Sequence, residues 1–469
     1  MMKFAPRTLL AALALALPAA PGLAQPITPA EQHRIDALVT KTLAETRVPS
    51  ASIALVRDGR IVLAKAYGTA SPTIPVARAG LPYQIASNSK QFTAMALLML
   101  EDEGKLSLDD KVAKFLPGIS GGDTITLRQL LSHTAGLQDY WPQDYLFSAM
   151  KTPVAPQGIV DRWAKKPLDY APGTRWQYSN TGYVVAGLIV EKVAGEPLRS
   201  FLQRRIFKPL GMTPIDIDDS NAPGFPTGYH RNALGPVRVA TPPARGWLFA
   251  AGELSMTAAD LAKWDIARIN RSLVPADDWA AQEAPVHLAD GTTNGYGLGV
   301  QSGTAGGRRI INHGGESVGF LSQNSVYPDQ RAAVVVLTNA DFGDVTDTLT
   351  EGLTDILLPS AAAETVTEGD RVADARAFYD ALAAGKLDRR LITANLGDYF
   401  DATTLGDYRS SLAALGPATS IVSLGQPRLR GGFVRRAYRV TAGGKSFRIS
   451  SFAEPGANGR WEQFIVTPD

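Results

Sequence analysis

Residues 85–95 read IASNSKQFTAM, a turn of small residues that leads into an apolar repeat. The repeat has the i, i+3, i+4, i+7, i+8 spacing of a helix with one face in a core, at Phe92, Met95, Ala96, Met99 and Leu100. Gly104 follows an acidic stretch and is placed to end this helix. The sequence therefore predicts a buried helix with a serine at its start.

Ser87 and Lys90 lie three positions apart at the start of this helix, so their side chains are neighbours on its surface. A helix N-terminus also offers free N–H groups and a partial positive charge, which favour an oxyanion beside Ser87. A serine, an amine that can take its proton and N–H donors together form the core of an acyl-transfer site. The alternative is that Ser87 caps a structural helix and Lys90 extends to water, and this stretch alone leaves both interpretations open.

Length and composition describe an ordinary globular protein. At 469 residues the chain is long for one domain, which predicts one large domain and a smaller one. A hydrophobic content of 45%, a charged content of 20% and a net charge of +2 argue against a dedicated nucleic-acid surface. The absence of cysteine excludes disulfides, thiol catalysis and thiolate metal sites.

The N-terminal residues have the pattern of a secretory signal peptide. Lys3 and Arg7 precede an apolar run over residues 9–17, Pro18 interrupts it, and small residues before Gln25 suit cleavage after Ala24. The run is too short to span a bilayer, and no later segment has the length and apolarity of a membrane helix. We expect residues 1–24 to be removed and the mature protein to be secreted or periplasmic.

Strand patterns at the two ends of residues 25–358 bracket a helix-rich middle. Residues 51–56 and 61–68 flank Asp58-Gly59, a strong hairpin signal, and further strand patterns run from residue 296 to 339. The simplest assembly is one antiparallel sheet made from both ends, with helices on its faces and a helical subdomain. This α+β arrangement would bring the Ser87 helix close to the strand at residues 308–313.

The chain continues past this predicted domain into a second unit. Residues 359–367 are predicted to be a linker, and residues 368–469 a small C-terminal α+β domain with two helices followed by strands. This domain contains no histidine and no convincing nucleophile. The sequence leaves open whether it binds a partner, covers the cleft or only stabilises the protein.

Two further serine motifs are interpreted as non-catalytic matches. Ser148–Lys151 repeats the Ser-x-x-Lys spacing, but Pro153 ends any helix there, which predicts a surface position. Residues 315–319 match the G-x-S-x-G pattern of α/β-hydrolases, a fold that needs a helix directly after the serine and a later histidine. A strand pattern follows Ser317 and all five histidines precede it, so this match fails.

Two other motifs carry polar groups suited to the same chemistry. Tyr178-Ser179-Asn180 precedes a helix pattern, and a tyrosine can relay a proton while an asparagine holds an amide. His313-Gly314-Gly315-Glu316 ends a strand pattern, where the glycines let a substrate lie close and the next N–H can bind an oxyanion. The structural alternatives are a core tyrosine in a tight turn and a glycine turn with a surface histidine.

Metal binding is not expected from this sequence. The histidines are scattered, and neither His-x-x-x-His nor His-Glu-x-x-His occurs. His133, within residues 130–137, is interpreted as a structural residue that helps to shape the floor of a cleft. The tyrosines and tryptophan of the following loop either line an acyl pocket or merely pack, and they are Tyr140, Trp141 and Tyr145.

The order Ser-x-x-Lys, Tyr-x-Asn, His-x-Gly resembles that of the penicillin-recognising serine hydrolases, which include class C β-lactamases, D-Ala-D-Ala carboxypeptidases, D-aminopeptidases and related esterases. Residues 125–137 and 251–261 are also similar to framework stretches of that family, and the resemblance covers roughly residues 30–358. It implies a β-lactamase/transpeptidase-like fold for this part of the chain.

The resemblance also implies roles for individual residues. Ser87 would be the acylated nucleophile, and Lys90 and Tyr178 would share the acid–base work. Asn180 would hold the substrate amide, and the N–H groups of Ser87 and Glu316 would form the oxyanion hole. The remaining substrate contacts would come from the third motif, at His313, Gly314 and Gly315. No metal or organic cofactor is implied.

The third motif departs from the β-lactamases of this family, which usually carry Lys-Thr-Gly there. His313 weakens the positive charge, Gly314 removes the hydroxyl that would meet an antibiotic carboxylate, and Glu316 adds negative charge. We therefore expect an exported serine hydrolase acting on a small-molecule ester, amide or peptide with a less anionic acyl group. A class C-like β-lactamase is the close alternative, and a non-catalytic penicillin-binding-like sensor or interaction protein is the distant one.

Overall fold

The computed structural model describes residues 25–143, 145–231, 236–359, 369–425, 427–430 and 433–468. The predicted signal peptide (1–24) and all but the first residue of the predicted linker (359–367) lie outside the described residues, so both stay predictions.

The strands of the described residues are, in chain order, β1 (Ser50–Arg57), β2 (Arg60–Gly68), β3 (Tyr83–Gln84), β4 (Ile215–Asp216), β5 (Tyr229–Arg231), β6 (Val237–Val239), β7 (Leu254–Met256), β8 (Gln301–Ala305), β9 (Arg308–Ser317), β10 (Phe320–Tyr327), β11 (Ala332–Thr338), β12 (Ala418–Ser423), β13 (Arg428–Arg430), β14 (Phe433–Ala442), β15 (Lys445–Ala453) and β16 (Trp461–Pro468).

The α-helices of the same residues are α1 (Pro29–Thr46), α2 (Lys90–Asp102), α3 (Val112–Phe115), α4 (Leu127–Leu131), α5 (Pro156–Ile159), α6 (Asn180–Ala194), α7 (Leu198–Leu202), α8 (Lys208–Leu210), α9 (Ala258–Asn270), α10 (Ala276–Glu283), α11 (Val345–Leu357), α12 (Val372–Ala383), α13 (Ala394–Tyr399) and α14 (Ala402–Ala413).

The main sheet is built from both ends of residues 25–358, as the sequence predicts. Its order is β2-β1-β11-β10-β9-β8, with neighbouring strands antiparallel. Strand β1 pairs with β11, so that Ile53 lies opposite Val336 although they are far apart in sequence. The late strands therefore lie beside the early hairpin, and β9 is placed within reach of the Ser87 helix.

Helices cover both faces of this sheet, which explains the apolar run in β11. Val334 and Val336 pack in one core cluster with residues of α1 and α11. Val335 and Leu337 pack in the other cluster with residues of α2, α6 and α9. Because alternate strand residues point to opposite faces, a strand with helices on both sides has no polar face.

Helix α2 is more deeply buried than its sequence pattern suggests. The spacing predicts one buried face, whereas Lys90 and every following residue to Leu100 are buried. This happens because α2 packs against both the helical subdomain and the sheet side of the core. A second difference lies before β8, because the strand patterns begin at residue 296 whereas β8 begins at Gln301. Gly299 has φ +77°, and a Cβ there would lie 2.9 Å from the Lys90 carbonyl oxygen, so the chain bends around the start of α2.

The C-terminal residues form a separate α+β unit, as predicted. A five-stranded sheet has the order β12-β14-β15-β16, with β13 paired to β14. Helices α12 to α14 pack on one side of it in a core cluster that contains Phe378, Tyr438, Ile449 and Phe464. All buried members of this cluster come from residues 375–464, so the unit has its own core.

Within the described ranges, no helix combines the length and apolarity needed to cross a membrane. Over the same ranges, no group of three or more His, Cys, Asp and Glu side chains is arranged to hold a metal ion.

Candidate active site

Ser87 lies in a tight turn at the start of α2. Residues Ala86–Ser89 form a 3₁₀ turn that runs directly into α2 at Lys90. Ala86 has φ +44°, in the left-handed region that non-glycine residues seldom adopt, so the backbone is strained directly before the serine. Within residues 83–100, Ser87 is the one residue that is not buried. The turn thus leaves Ser87 partly exposed, while the residues on either side of it are buried.

Lys90 Nζ lies at the centre of the site, fully buried. It is 3.0 Å from Ser87 Oγ, 2.8 Å from Asn180 Oδ1 and 2.6 Å from the Ala251 carbonyl oxygen. Burial lowers the pKa of Lys90 to about 7, although the negative charge of Asp139 acts in the opposite direction. The same side chain is therefore able to exist as a neutral amine near neutral pH.

The second motif lies against Lys90. Ser179 caps α6, which begins at Asn180, and Lys90 Nζ is 4.8 Å from the centre of the Tyr178 ring. Burial raises the pKa of the Tyr178 phenol, while its hydrogen bond with Ser87 acts to lower it. The first two motifs therefore meet, with the Tyr178 hydroxyl next to the serine.

Asp139 is a polar residue of this site that no sequence motif predicted. Its carboxylate accepts hydrogen bonds from the Asn180 backbone N–H at 3.0 Å, from Asn180 Nδ2 at 3.3 Å and from the Trp141 N–H at 3.2 Å. Burial raises the pKa of Asp139, and the nearby Lys90 charge lowers it. An aspartate in a glycine- and aromatic-rich loop carries no local signal for such a role.

Gly315 brings the third motif against the Ser87 turn. A Cβ at Gly315 would lie 2.1 Å from the Ile85 carbonyl oxygen, so only glycine fits there. Ser322 on β10 supports the contact, because its hydroxyl donates to Ile85 O at 2.8 Å and accepts from Asn88 Nδ2 at 2.9 Å. The Glu316 side chain is exposed, and its backbone directly follows this contact.

His313 is buried rather than on the surface. Its Nε2 is 2.7 Å from the Tyr296 hydroxyl oxygen, and its Nδ1 is 2.5 Å from the Gly314 carbonyl oxygen. Burial and the Lys90 charge lower the pKa of His313 to about 4. The imidazole is therefore uncharged at neutral pH, and both of its nitrogens have partners within the protein.

His133 forms part of the floor of the site, in line with its structural interpretation. Its ring packs on the Tyr178 ring with 4.1 Å between centroids, and its backbone has φ +60°. Tyr170 donates a hydrogen bond to the His133 carbonyl oxygen at 3.1 Å. His133 thus supports the second motif from below.

The loop aromatics and the two other serine motifs lie outside the arrangement around Ser87. Tyr140 is buried and donates to the Trp247 carbonyl oxygen, so it packs in the core, while Trp141 is partly exposed and Tyr145 is exposed. Both Ser148 and Lys151 are exposed in a short turn. Ser317 is buried in β9 and bonds Gln84 at 2.7 Å. Neither of these two serines has the surroundings of a nucleophile.

Known proteins are similar to this chain in sequence and in fold. The profile of the Beta-lactamase family matches residues 35–356. Protein flp of Staphylococcus aureus is 28% identical over an alignment of 335 residues that covers 67% of this chain and 64% of that protein. The chain thus spans just under two thirds of the length of this relative.

Solved structures show the same fold. The crystal structure of a D-stereospecific amidohydrolase from Streptomyces sp. has a TM-score of 0.61 and 28% identity, covering 71% of this chain and 100% of that one. The penicillin binding protein from Bacillus halodurans has a TM-score of 0.59 and 23% identity, covering 68% of this chain and 98% of that one. With the family profile, these likenesses show that the chain belongs to the beta-lactamase family, among the penicillin-recognising serine hydrolases that its three motifs resemble.

Proposed function

We propose that this protein hydrolyses ester or amide bonds, including peptide bonds, through an acyl-enzyme formed on Ser87. The observation that carries the proposal is the 3.0 Å contact between Lys90 Nζ and Ser87 Oγ at a buried lysine. A buried amine in hydrogen-bond contact with a presented serine is the arrangement that activates a hydroxyl nucleophile.

Lys90 is assigned as the general base. Asn180 Oδ1 and Ala251 O can only accept hydrogen bonds, so two hydrogens of a neutral Lys90 amine satisfy them. The remaining lone pair then faces the Ser87 hydroxyl, which has a proton to give. The pKa of about 7 means that a substantial fraction of Lys90 is neutral at physiological pH.

Tyr178 is assigned as the group that passes a proton to the leaving atom. Its raised pKa keeps the phenol protonated at neutral pH, so it acts as an acid after Lys90 has acted as a base. Asn180 holds the substrate amide, and the N–H groups of Ser87 and Glu316 bind the oxyanion. Each such donor is typically worth about 10²–10³ in rate.

The acyl group is proposed to carry little negative charge. His313 occupies the position that carries a lysine in the β-lactamases, and its lowered pKa removes the cation there. The likeness to the D-stereospecific amidohydrolase from Streptomyces sp. supports amide substrates. A class C-like β-lactamase is the close alternative, favoured by the family profile, and a non-catalytic sensor is the distant one.

We also propose export of the protein, which rests on the N-terminal pattern of Lys3, Arg7 and the apolar run before Ala24. A mature N-terminus at Gln25 in secreted or periplasmic material would support it, and retention of Met1 in the cytoplasm would contradict it.

The test is intact-mass analysis after brief exposure to p-nitrophenyl acetate and, separately, to a penicillin. Three forms are compared: the wild type, Ser87→Ala and Ser148→Ala, the last being the serine of the exposed second Ser-x-x-Lys motif. We expect an acetyl adduct or turnover in the wild type and in Ser148→Ala, but not in Ser87→Ala. Fast penicillin turnover would favour the β-lactamase alternative, and no acylation of the wild type by either reagent would contradict the enzyme proposal.

A further inference from the structure

Three side chains form a hydrogen-bonded line beneath the site. His133 Nε2 lies 3.2 Å from the Tyr296 hydroxyl oxygen, and the same oxygen lies 2.7 Å from His313 Nε2. All three residues are buried. The line therefore connects the residue under Tyr178 with the histidine of the third motif.

The proton on His133 is assigned by its backbone partner. The Ser179 backbone N–H points at His133 Nδ1 at 3.1 Å, and an N–H can only donate. Nδ1 must therefore present its lone pair, and a neutral His133 carries its proton on Nε2. Burial and the charge of Lys90 lower the pKa of His133, which keeps the ring neutral. His133 Nε2–H then donates to the Tyr296 oxygen.

The proton on His313 is assigned by a partner that accepts a hydrogen bond, whereas the partner of His133 donates one. His313 Nδ1 lies 2.5 Å from the Gly314 carbonyl oxygen, which can only accept, so Nδ1 carries the proton. The neutral ring then has its lone pair on Nε2, which accepts from the Tyr296 hydroxyl. The two ends of the line therefore agree on one direction of donation, from His133 through Tyr296 to His313.

We propose that Tyr296 is a positioning residue that determines substrate charge preference, because its hydroxyl holds His313 as a neutral Nδ1–H imidazole turned into the floor of the site. The inference rests on the proposed hydrolase function for its effect on substrates. Its structural part, the protonation pattern of the two histidines, stands on the contacts alone.

Among the residues that the structure describes around Tyr296, none offers an equivalent replacement for its bond to His313. The Tyr183 hydroxyl is also in hydrogen-bond contact with Tyr296, but its own proton goes to the Leu131 carbonyl oxygen at 2.6 Å, so it has none to give to His313. When Lys90 is protonated, its charge lowers the pKa of both histidines and so disfavours a second positive charge there. Without the Tyr296 hydroxyl, His313 Nε2 loses its donor, and the ring is released to rotate or to exchange tautomers.

Tyr296→Phe tests the proposal, with Tyr170→Phe as the matched control. Tyr170 also donates from a phenol to the His133 residue, but to its backbone oxygen and outside the line. The first measurement is the tautomer of His313 by nitrogen-15 NMR, with the resonance assigned through His313→Gln. We expect the Nδ1–H form in the wild type and in Tyr170→Phe, and a mixture of forms in Tyr296→Phe.

The second measurement compares kcat/KM for p-nitrophenyl hemisuccinate, which carries a carboxylate, with that for neutral p-nitrophenyl butyrate. We expect the ratio to rise about tenfold in Tyr296→Phe, the effect of one charge-assisted hydrogen bond, and to stay unchanged in Tyr170→Phe. The proposal would be overturned if wild-type His313 were protonated on Nε2. It would also be overturned if Tyr296→Phe kept the wild-type tautomer and the wild-type ratio of kcat/KM values. If no ester is hydrolysed, the function proposal fails while the tautomer result still tests the role of Tyr296.

Discussion

Asp139 accepts hydrogen bonds from both the backbone nitrogen and the side-chain nitrogen of Asn180, at 3.0 and 3.3 Å. With the nitrogen of its side-chain amide turned toward Asp139, Asn180 turns the oxygen of that amide to Lys90 Nζ, 2.8 Å away. Asp139 therefore orients the second motif toward the lysine of the first. Its negative charge also raises the pKa of Lys90.

Asp139→Asn should change both the orientation of Asn180 and the pKa of Lys90. Without the negative charge, the pKa of Lys90 falls further, so the acidic limb of the kcat/KM profile moves to lower pH. We expect the plateau to fall about tenfold or more, because Asn180 loses charge-assisted hydrogen bonds. The matched control is Asp169→Asn, in which an exposed carboxylate that accepts from Gln177 is neutralised. An unshifted acidic limb in Asp139→Asn would contradict the coupling to Lys90.

Lys90 should set the pH dependence of the wild type. If neutral Lys90 is the base, kcat/KM rises with pH through the lysine pKa of about 7 and levels off above it. Lys90→Arg introduces a guanidinium that stays protonated, and we expect a loss of about 10²–10⁴ in kcat/KM. Lys151→Arg, at the exposed second motif, should have no effect. Retention of most activity in Lys90→Arg would move the base role to Tyr178.

Two adjacent glycines provide a sharp test of the third motif. In Gly315→Ala the new Cβ would meet the Ile85 carbonyl oxygen at 2.1 Å, so β9 must move away from the Ser87 turn. In Gly314→Ala the nearest atom is Gln323 Oε1 at 3.2 Å, on a flexible side chain. We expect about a 10²-fold loss of acylation rate for Gly315→Ala and a change of less than about threefold for Gly314→Ala. Equal effects in stopped-flow acylation would contradict the close-contact argument.

The raised pKa of buried Asp265 predicts that the free energy of unfolding depends on pH. Burial raises the pKa of this carboxyl to about 7, although the Asn324 hydrogen bond and the Arg268 charge act to lower it. An unfolded aspartate has a pKa near 3.9. Between about pH 4 and pH 7 the folded state therefore holds a proton that the unfolded chain has released, so stability falls as pH rises and the full penalty applies above about pH 7.

Asp265→Asn removes this penalty. We expect the free energy of unfolding by urea to rise by about 1–3 kcal/mol at about pH 8, with little difference from the wild type at about pH 4. Exposed Asp123→Asn serves as the control and should change neither value. A variant that is less stable than the wild type at about pH 8 would show that Asp265 is ionised and needed there.

Local patterns predicted much of this fold because local interactions decide those features. The hairpin follows from Asp58-Gly59 between two strand-forming runs. The meeting of Ser87 with Lys90 follows from their spacing of three residues, which holds in any helical turn.

The sequence by itself thus determined the class of the fold, the serine and its amine, and the order of three motifs that identify the family. Only the tertiary structure determined the burial of that amine and therefore its pKa. Lys90 and Lys151 share one motif, yet burial lowers the pKa of the first while the second is exposed. Only packing, too, brought Asp139 to Asn180 and placed Tyr296 between His133 and His313. Contacts between residues so far apart in the chain depend on how whole elements pack, and no local periodicity specifies them.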